Sequence, residues 1–365
     1  MIHRGRLAML VLFVATLWAC VPKPVVIGFI GPMTGPTANI GVEGYRGFSL
    51  ALAEVNEAGG VLGRKVEARM LDDAASPEAC LAAARELVGQ GVRLIVLHTI
   101  SGAAAGALPW LLGQDVLVVS RTVSDPAWAD KDDTFLRFVG STDTFGESLS
   151  VYARQKGIRS VAIIADARNK AYAQSVESFF TKSGGPIETR GTRWIDAGFS
   201  QDEAATWAVS SSPEAVLAIV SGLDAAKLAH ALDRQAFTGL LLLSPWSQDQ
   251  NLLAYSGRLA DRIFLSSSFN PDDVSPAYMA MKARYASIYG SDPVMPALFG
   301  YEIARFLSLG IEDAGKADPV DVKKALLVRK RFEGMQYGFD IDAEGDALMT
   351  ALIITIKSGT YIEAR

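Results

Sequence analysis

The chain has 365 residues, a length greater than a single hydrophobic core usually holds, and half of its residues are hydrophobic. Its 35 Lys and Arg against 40 Asp and Glu give a net charge of −5 at pH 7, a mildly acidic balance that argues against a nucleic-acid partner and against a basic membrane-docking face. We therefore expect a packed globular protein of two domains.

The N-terminus has the layout of a secretory signal. Two arginines precede an uncharged apolar stretch, Leu7 to Ala19, which is shorter than the roughly 20 residues that a bilayer-spanning helix needs. Its end, Leu17-Trp-Ala-Cys20, resembles the lipobox of bacterial lipoproteins, in which the cysteine becomes the acylated first residue. We expect a signal peptide over residues 1–19 and a lipid on Cys20. The alternative is an ordinary signal peptide in which Cys20 falls near the cut by chance.

Beyond this leader, apolar strands alternate with amphipathic helices. The first strand, Val25 to Ile30, leads through a Gly/Pro/Thr loop into a helix from about Val42 to Ala58. Further strands are predicted at Val66 to Leu71, Leu94 to Leu97, Val116 to Val119, Val161 to Ala165, Ala215 to Val220, Leu240 to Leu243 and Leu352 to Ile356, and late helices at Pro276 to Tyr289 and Pro296 to Ala314. The alternation occurs twice and predicts an α/β fold of two domains with parallel sheets covered by helices.

Small hydroxyl residues follow two neighbouring strands of the first domain. Ser101 and Gly102 come after the strand Leu94 to Leu97 and open a helix, where the serine either caps the helix or helps to form an anion site at its N-terminus. Thr122 and Ser124 follow the next strand. Ligands of open parallel sheets bind beyond the carboxyl ends of the strands, so this pattern predicts a cleft for a small zwitterion or carboxylate.

Residues with catalytic or metal-binding patterns are scarce. The sequence has no Gly-x-Ser-x-Gly, His-Glu-x-x-His, phosphate-binding loop or Cys-x-x-Cys motif, and we predict no enzyme activity, no cofactor and no metal. His98 ends a strand and is either a structural histidine or one that faces the cleft. Asp72 and Asp73 form either a loop-capping turn or a weak carboxylate pair. Cys80 is either a buried small hydrophobe or a reactive thiol.

Several stretches resemble the bacterial branched-chain amino acid binding proteins. They are Ile27-Gly-Phe-Ile-Gly-Pro-Met-Thr-Gly-Pro, Gly44-Tyr-Arg-Gly, Asn56-Glu-Ala-Gly-Gly-Val-Leu-Gly-Arg-Lys and Phe339-Asp-Ile-Asp-Ala-Glu-Gly-Asp. The resemblance implies a type I periplasmic binding protein: two Rossmann-like lobes joined by three hinge crossovers near residues 137–140, 265–269 and 336–339. The N-terminal lobe is then expected over residues 23–138 plus 268–336, and the C-terminal lobe over residues 139–267 plus 337–365.

The resemblance also implies a ligand site between the lobes. It assigns the ligand carboxylate to Ser101 and to backbone N–H groups such as that of Gly102, further amino-acid contacts to Thr122 and Ser124, the closing aromatic side chain to Tyr172 and part of the side-chain pocket to Ile40.

Three positions depart from the family pattern: Trp246 replaces the acid that pairs with the ligand ammonium, Leu223 replaces a tyrosine, and Arg121 replaces a proline. Trp246 either contacts an aromatic or cationic ligand or packs in the cleft wall. Asp224 or Asp249 is a candidate replacement for the missing acid.

The predicted function is an extracytoplasmic receptor of an ABC importer. It would capture an amino acid or related small carboxylate by hinge closure, deliver it to an ABC permease, and lie at the periplasmic or extracellular face on its N-terminal lipid. Two alternatives remain: a sensor lipoprotein that reports to a signalling partner, and an enzyme on a Rossmann-like scaffold.

Overall fold

The computed structural model describes residues 22–183 and 185–364, so the expected signal peptide and Cys20 lie outside the described residues. Its strands, in chain order, are β1 (Val25–Gly31), β2 (Val66–Asp72), β3 (Leu94–Leu97), β4 (Leu117–Ser120), β5 (Phe135–Arg137), β6 (Ser160–Asp166), β7 (Glu188–Ile195), β8 (Ala215–Ile219), β9 (Leu240–Leu243), β10 (Ile263–Ser267), β11 (Arg331–Glu333), β12 (Gly338–Ile341), β13 (Ala347–Leu348), β14 (Leu352–Lys357) and β15 (Thr360–Glu363).

The helices cover the faces of two central sheets. In chain order they are α1 (Ala38–Glu57), α2 (Pro77–Gly89), α3 (Ser101–Leu111), α4 (Thr142–Gln155), α5 (Lys170–Ser183), α6 (Gln201–Ser210), α7 (Gly222–Arg234), α8 (Gln250–Tyr255), α9 (Pro276–Tyr289), α10 (Met295–Ala314) and α11 (Pro319–Arg329). In the first lobe, α1 and α10 pack together on one face of the sheet and α2 and α3 on the other. In the second lobe, α4 and α5 cover one face and α6 and α7 the other.

Both sheets have the parallel core that the sequence predicts. The first has the order β2-β1-β3-β4-β5 and is parallel throughout. The second has the order β15-β14-β10-β9-β8-β6-β7, in which β6 to β10 are parallel. Strands β14 and β15 are antiparallel additions at its edge, joined by a tight turn instead of a helix. The short turn explains why β15 runs antiparallel to β14, since parallel neighbours need a long crossover.

The third crossing between the lobes lies beyond the expected position. Strands β11, β12 and β13 form a small antiparallel sheet whose Phe332 and Phe339 pack against Phe138 and Phe306 of the first lobe. The chain therefore stays with the first lobe through β13 and crosses only before β14. Aromatic packing decides this boundary, and the assignment of residues 337–348 to the C-terminal lobe is corrected accordingly.

Glycines bring α1 and α10 into close contact. A Cβ atom added at Gly47 would overlap the carbonyl oxygen of Ala297, and one added at Gly300 would overlap that of Gly44. The backbones of the two helices therefore meet directly at this crossing, which places the first turn of α10 beside the cleft. None of the helices in the described ranges is both long enough and apolar enough to cross a membrane.

Candidate functional site

A cavity lies between the lobes. The first lobe lines it with Ile40, Thr99, Ile100, Ser101, Arg121, Thr122, Ser124, Met295, Pro296 and Phe299, and the hinge and second lobe with Val139, Phe145, Asn169, Tyr172, Pro245, Trp246, Gln248 and Ser268. The register explains the strand-end residues of the first set, because Ile30 pairs with Leu97 and Val96 with Val119, which aligns the carboxyl ends of β1, β3 and β4.

Ser101 is the first residue of α3 but does not cap it. The N-cap residue is Ile100, and no side chain caps this helix. The Ser101 hydroxyl is buried and has no hydrogen-bond partner among the described residues. The capping interpretation of Ser101 is therefore wrong. An unpartnered hydroxyl at a helix N-terminus, facing a cavity, suits an anionic group.

The loop after β4 is held rigidly beside Ser101. The Ser120 hydroxyl donates to the carbonyl oxygen of Leu97 at 2.6 Å and accepts from the backbone N–H of Thr122 at 3.1 Å. The Thr122 hydroxyl donates to the carbonyl oxygen of Thr99 at 2.8 Å. Thr122 thus links the two strand ends, and its oxygen retains lone-pair capacity toward the cavity.

Arg121 brings a buried positive charge to the cavity wall. Its guanidinium lies 2.5 Å from a carboxylate oxygen of Glu302 in α10 and donates to the carbonyl oxygen of Phe138 at 2.5 Å. The Phe299 ring lies 4.4 Å below the guanidinium carbon. Arg121 is only 2% exposed, and its Nε–H has no partner within the described part of the chain. The residue joins the cavity, α10 and the first hinge segment.

The second lobe contributes an aromatic pair and an amide. Tyr172 and Trp246 meet edge to face with their ring centroids 6.1 Å apart. The loop that carries Trp246 is fixed because the Ser247 hydroxyl donates to the carbonyl oxygen of Val220 at 2.7 Å. Gln248 follows in the same loop, and its carbonyl oxygen accepts from the Ser267 hydroxyl at 2.6 Å. Burial raises the pKa of Tyr172 to about 12, so its hydroxyl remains protonated at neutral pH.

Six of the eight candidate ligand-binding residues line the cavity, and two do not. Ile40, Ser101, Thr122, Ser124, Tyr172 and Trp246 are among its walls. Gly102 and Leu223 are absent from the lining set, and the N–H of Gly102 donates to the Asn169 side chain at 2.8 Å. That N–H is therefore engaged across the lobes, which corrects the assignment of this group to the ligand carboxylate.

Asp224 and Asp249, the candidate replacements for the missing acid, are both engaged elsewhere. Asp224 lies 2.6 Å from the Arg168 guanidinium and accepts from the Ser221 hydroxyl. Asp249 caps α8 by accepting from the N–H of Leu252 at 3.0 Å. Neither lines the cavity. Both acids have local partners, and neither supplies a carboxylate to the cavity wall at Trp246.

The structure favours a structural role over a chemical one for His98, for the Asp72–Asp73 pair and for Cys80. His98 is fully buried and stacks on Phe29 at 5.4 Å instead of lining the cavity. Asp72 and Asp73 accept backbone N–H groups of their own loop at 2.8 Å, which is a turn arrangement. Cys80 is a free, buried thiol, and burial raises its pKa. A buried thiol of raised pKa is a poor nucleophile.

The sequence does not predict several residues that line the cavity. Asn169 and Gln248 lie in strand-end loops, where polar side chains are expected, but no local pattern separates them from their neighbours. Phe145, Met295 and Phe299 belong to helices that return to the cleft from distant parts of the chain. Arg121 departs from the family pattern, yet its pairing with Glu302 has no signal in the sequence.

Two lobes around a buried cleft, with unpartnered polar groups supplied by both, define a protein that encloses a small molecule. The chain belongs to the periplasmic binding protein family, whose sequence profile matches residues 24–360. The Leu/Ile/Val-binding protein homolog 1 of Brucella abortus (strain 2308) is 22% identical over 354 residues, covering 95% of this chain and 93% of that protein.

Solved structures show the same fold. The branched-chain amino acid substrate-binding protein LivJ of Streptococcus pneumoniae, in complex with isoleucine, has a TM-score of 0.86 and 21% identity, over 94% of this chain and 99% of that one. A solute-binding protein of an R. palustris ABC transporter, in complex with benzoate, has a TM-score of 0.85 and 17% identity, over 93% and 95%.

These similarities confirm the predicted fold and the family resemblance. The matching proteins are solute-binding proteins and not enzymes. The chain is accordingly a periplasmic binding protein, and its family implies an extracytoplasmic location.

Proposed function

We propose that this protein is the receptor of an ABC importer and captures an amino acid or related small carboxylate between its lobes. The observation that carries the proposal is the distribution of buried polar groups without partners among the described residues. Ser101 supplies one from the first lobe, and Trp246 and Gln248 supply others from the second. Buried polar groups are normally hydrogen-bonded, so one ligand that meets both sets would hold the lobes together.

Relatives support this ligand class without fixing the ligand. One structural neighbour is in complex with isoleucine and another with benzoate, and both molecules carry a carboxylate beside an apolar group. The cavity has the same division, since the Ser101 hydroxyl lies at a helix N-terminus while Ile40, Phe145 and Phe299 supply apolar walls. We propose that the carboxylate is held at Ser101 and that Thr122, Ser124 and Tyr172 make further contacts.

A thermal-shift screen followed by calorimetry tests the receptor function. The purified protein is challenged with amino acids and with small carboxylic acids that lack an amine. A true ligand at about 100 times its Kd stabilises the fold by about 2.7 kcal/mol, a shift that thermal unfolding detects readily. If no acid in either set stabilises the protein, small carboxylates are not its ligands.

Uptake measurements distinguish an importer receptor from a sensor. In a strain that lacks this gene, high-affinity uptake of the identified ligand should be lost and should return with the intact gene. Unchanged uptake, together with a lost transcriptional response to the ligand, would favour the sensor. The permease is expected to recognise the closed form, because closure brings both lobes into one fixed arrangement.

We further propose that a lipid on Cys20 anchors the mature chain at the periplasmic or extracellular face. The support is the Leu17-Trp-Ala-Cys20 sequence at the end of the apolar leader. A Cys20→Ser variant should move from the membrane fraction to the soluble fraction and lose incorporation of labelled fatty acid. An unchanged distribution would favour an ordinary signal peptide.

A further inference from the structure

The unpartnered polar atoms of the cavity include several that can only donate hydrogen bonds. The indole N–H of Trp246 and the Nε–H of Arg121 have no acceptor capacity. The amide nitrogen of Gln248 is also a donor, because its carbonyl oxygen already accepts from Ser267. These three side chains are at most 8% exposed, and the structure shows no acceptor for these atoms within residues 22–183 and 185–364.

The charges around the cavity also disfavour a ligand with an ammonium group. Among its described lining residues there is no Asp or Glu, and Arg121 is the only residue with a formal charge. That charge is balanced by Glu302, which lies 2.5 Å away and does not line the cavity. The other unpartnered cavity atoms, the hydroxyls of Thr99, Ser101, Tyr172 and Ser268, can donate or accept. An ammonium group brings only donors and a positive charge, so among these atoms it would meet hydroxyl oxygens but no carboxylate to balance its charge.

We propose that the cleft selects an acid that carries an acceptor oxygen in place of the α-ammonium group. The carboxylate lies at Ser101, and an oxo or hydroxyl oxygen on the neighbouring carbon accepts from Trp246 and Gln248. The apolar part of the ligand packs among Phe145, Phe299 and the Tyr172 ring. This inference rests on the proposed receptor function and specifies its ligand class.

Matched ligand pairs test the selection. Calorimetry on the intact protein compares isoleucine with 3-methyl-2-oxopentanoate and phenylalanine with phenylpyruvate, pairs that differ only at the α-carbon. A lost charge-assisted hydrogen bond corresponds to roughly a 10- to 150-fold change in affinity, so the oxo acid should bind at least tenfold more tightly. Equal or tighter binding of the amino acid would overturn the inference and leave the receptor function standing. If neither member of a pair binds, and benzoate also fails, the receptor function itself is contradicted.

Two variants test whether the preference for the oxo acid comes from side chains of the second lobe. Gln248→Glu keeps the oxygen that accepts from Ser267 and replaces the donor by a carboxylate oxygen, so the preference should shift at least tenfold toward the amino acid. Gln235→Glu, at an exposed position of the same lobe, is the matched control and should leave the ratio unchanged. Trp246→Phe removes the N–H and keeps an aromatic ring, so it should weaken the oxo acid alone. An unchanged ratio in both cavity variants would contradict the assignment.

Discussion

The backbone N–H of Gly102 in the first lobe donates a 2.8 Å hydrogen bond to the side-chain oxygen of Asn169 in the second. Asn169 is 2% exposed, so this bond is shielded from water and spans the closed cleft. It occupies the helix N-terminus that the sequence assigns to the ligand. The two residues therefore connect the lobes directly, next to the proposed carboxylate position at Ser101.

Removing this inter-lobe bond should weaken ligand binding. The Asn169→Ala variant leaves the Gly102 N–H unpaired in the closed form, and a typical hydrogen bond contributes about 0.5–1.5 kcal/mol. We expect the free energy of ligand binding, measured by calorimetry, to become less favourable by that amount. Lys170→Ala, at the exposed neighbouring position, is the control. Equal affinities for both variants would mean that the bond does not contribute to closure.

The Ser101→Ala variant tests the proposed carboxylate position. Since the hydroxyl is buried and does not cap α3, its loss should cost about 1–3 kcal/mol of ligand binding and little folding stability. Calorimetry and denaturant unfolding report the two quantities separately. The exposed Ser287→Ala substitution should change neither. A loss of stability without a loss of affinity would contradict the assignment.

The buried Arg121–Glu302 pair should be sensitive to loss of one partner. Both side chains are at most 3% exposed, and Glu302→Gln would leave the guanidinium charge uncompensated. Breaking a buried pair costs about 3–5 kcal/mol in the free energy of unfolding. Asp313→Asn breaks the partly exposed pair with Arg329 and should cost less than about 1 kcal/mol. Similar small losses in urea unfolding for both variants would contradict the prediction.

His98 should make the protein less stable in acid. Burial, with a smaller contribution from the Arg121 charge, lowers the pKa of His98 to about 3. The unfolded chain therefore binds the proton more tightly, and stability falls as the pH drops from about 6.5 toward 3, with a slope that approaches 1.4 kcal/mol per pH unit. His98→Met should remove this part of the pH dependence.

Two buried acids change stability with pH in the opposite direction. The effect of His98 is therefore measured as the difference between the stability curves of the wild type and of His98→Met. Burial raises the pKa of Asp249 to about 7 and that of Asp73 to about 6. Their contributions to stability are present below the unfolded pKa and are lost as the pH rises through these values. Subtracting the His98→Met curve from the wild-type curve isolates the histidine. A flat difference between pH 6.5 and 4 would contradict its buried neutral state.

Helix packing should fail when a methyl group is added at the α1–α10 crossing. In Gly47→Ala the new Cβ overlaps the carbonyl oxygen of Ala297, and backbone against backbone has little room to relax. We expect a loss of at least 1–3 kcal/mol in the free energy of unfolding. Gly89→Ala is the matched control, because its Cβ meets open space. It should be neutral or stabilising by up to about 1 kcal/mol.

Local patterns in the sequence predict the elements and part of the cleft. Strand and helix periodicities depend on neighbouring residues, so β1, β3 and β4 were located almost to the residue. In a parallel sheet the carboxyl ends of strands meet at one edge, which brings Ser101 and Thr122 to the cavity. The fold class follows from the same alternation and is confirmed by the solved structures.

Contacts between distant segments decide what the sequence leaves open. The third crossing depends on Phe332 and Phe339 packing against the first lobe, and the charge of Arg121 is balanced by a residue 181 positions later, Glu302. The sequence determined which lobes form and where their strand ends lie, because those features are local. Only the tertiary structure decided which donors line the cavity, because residues of both lobes must come together to form it.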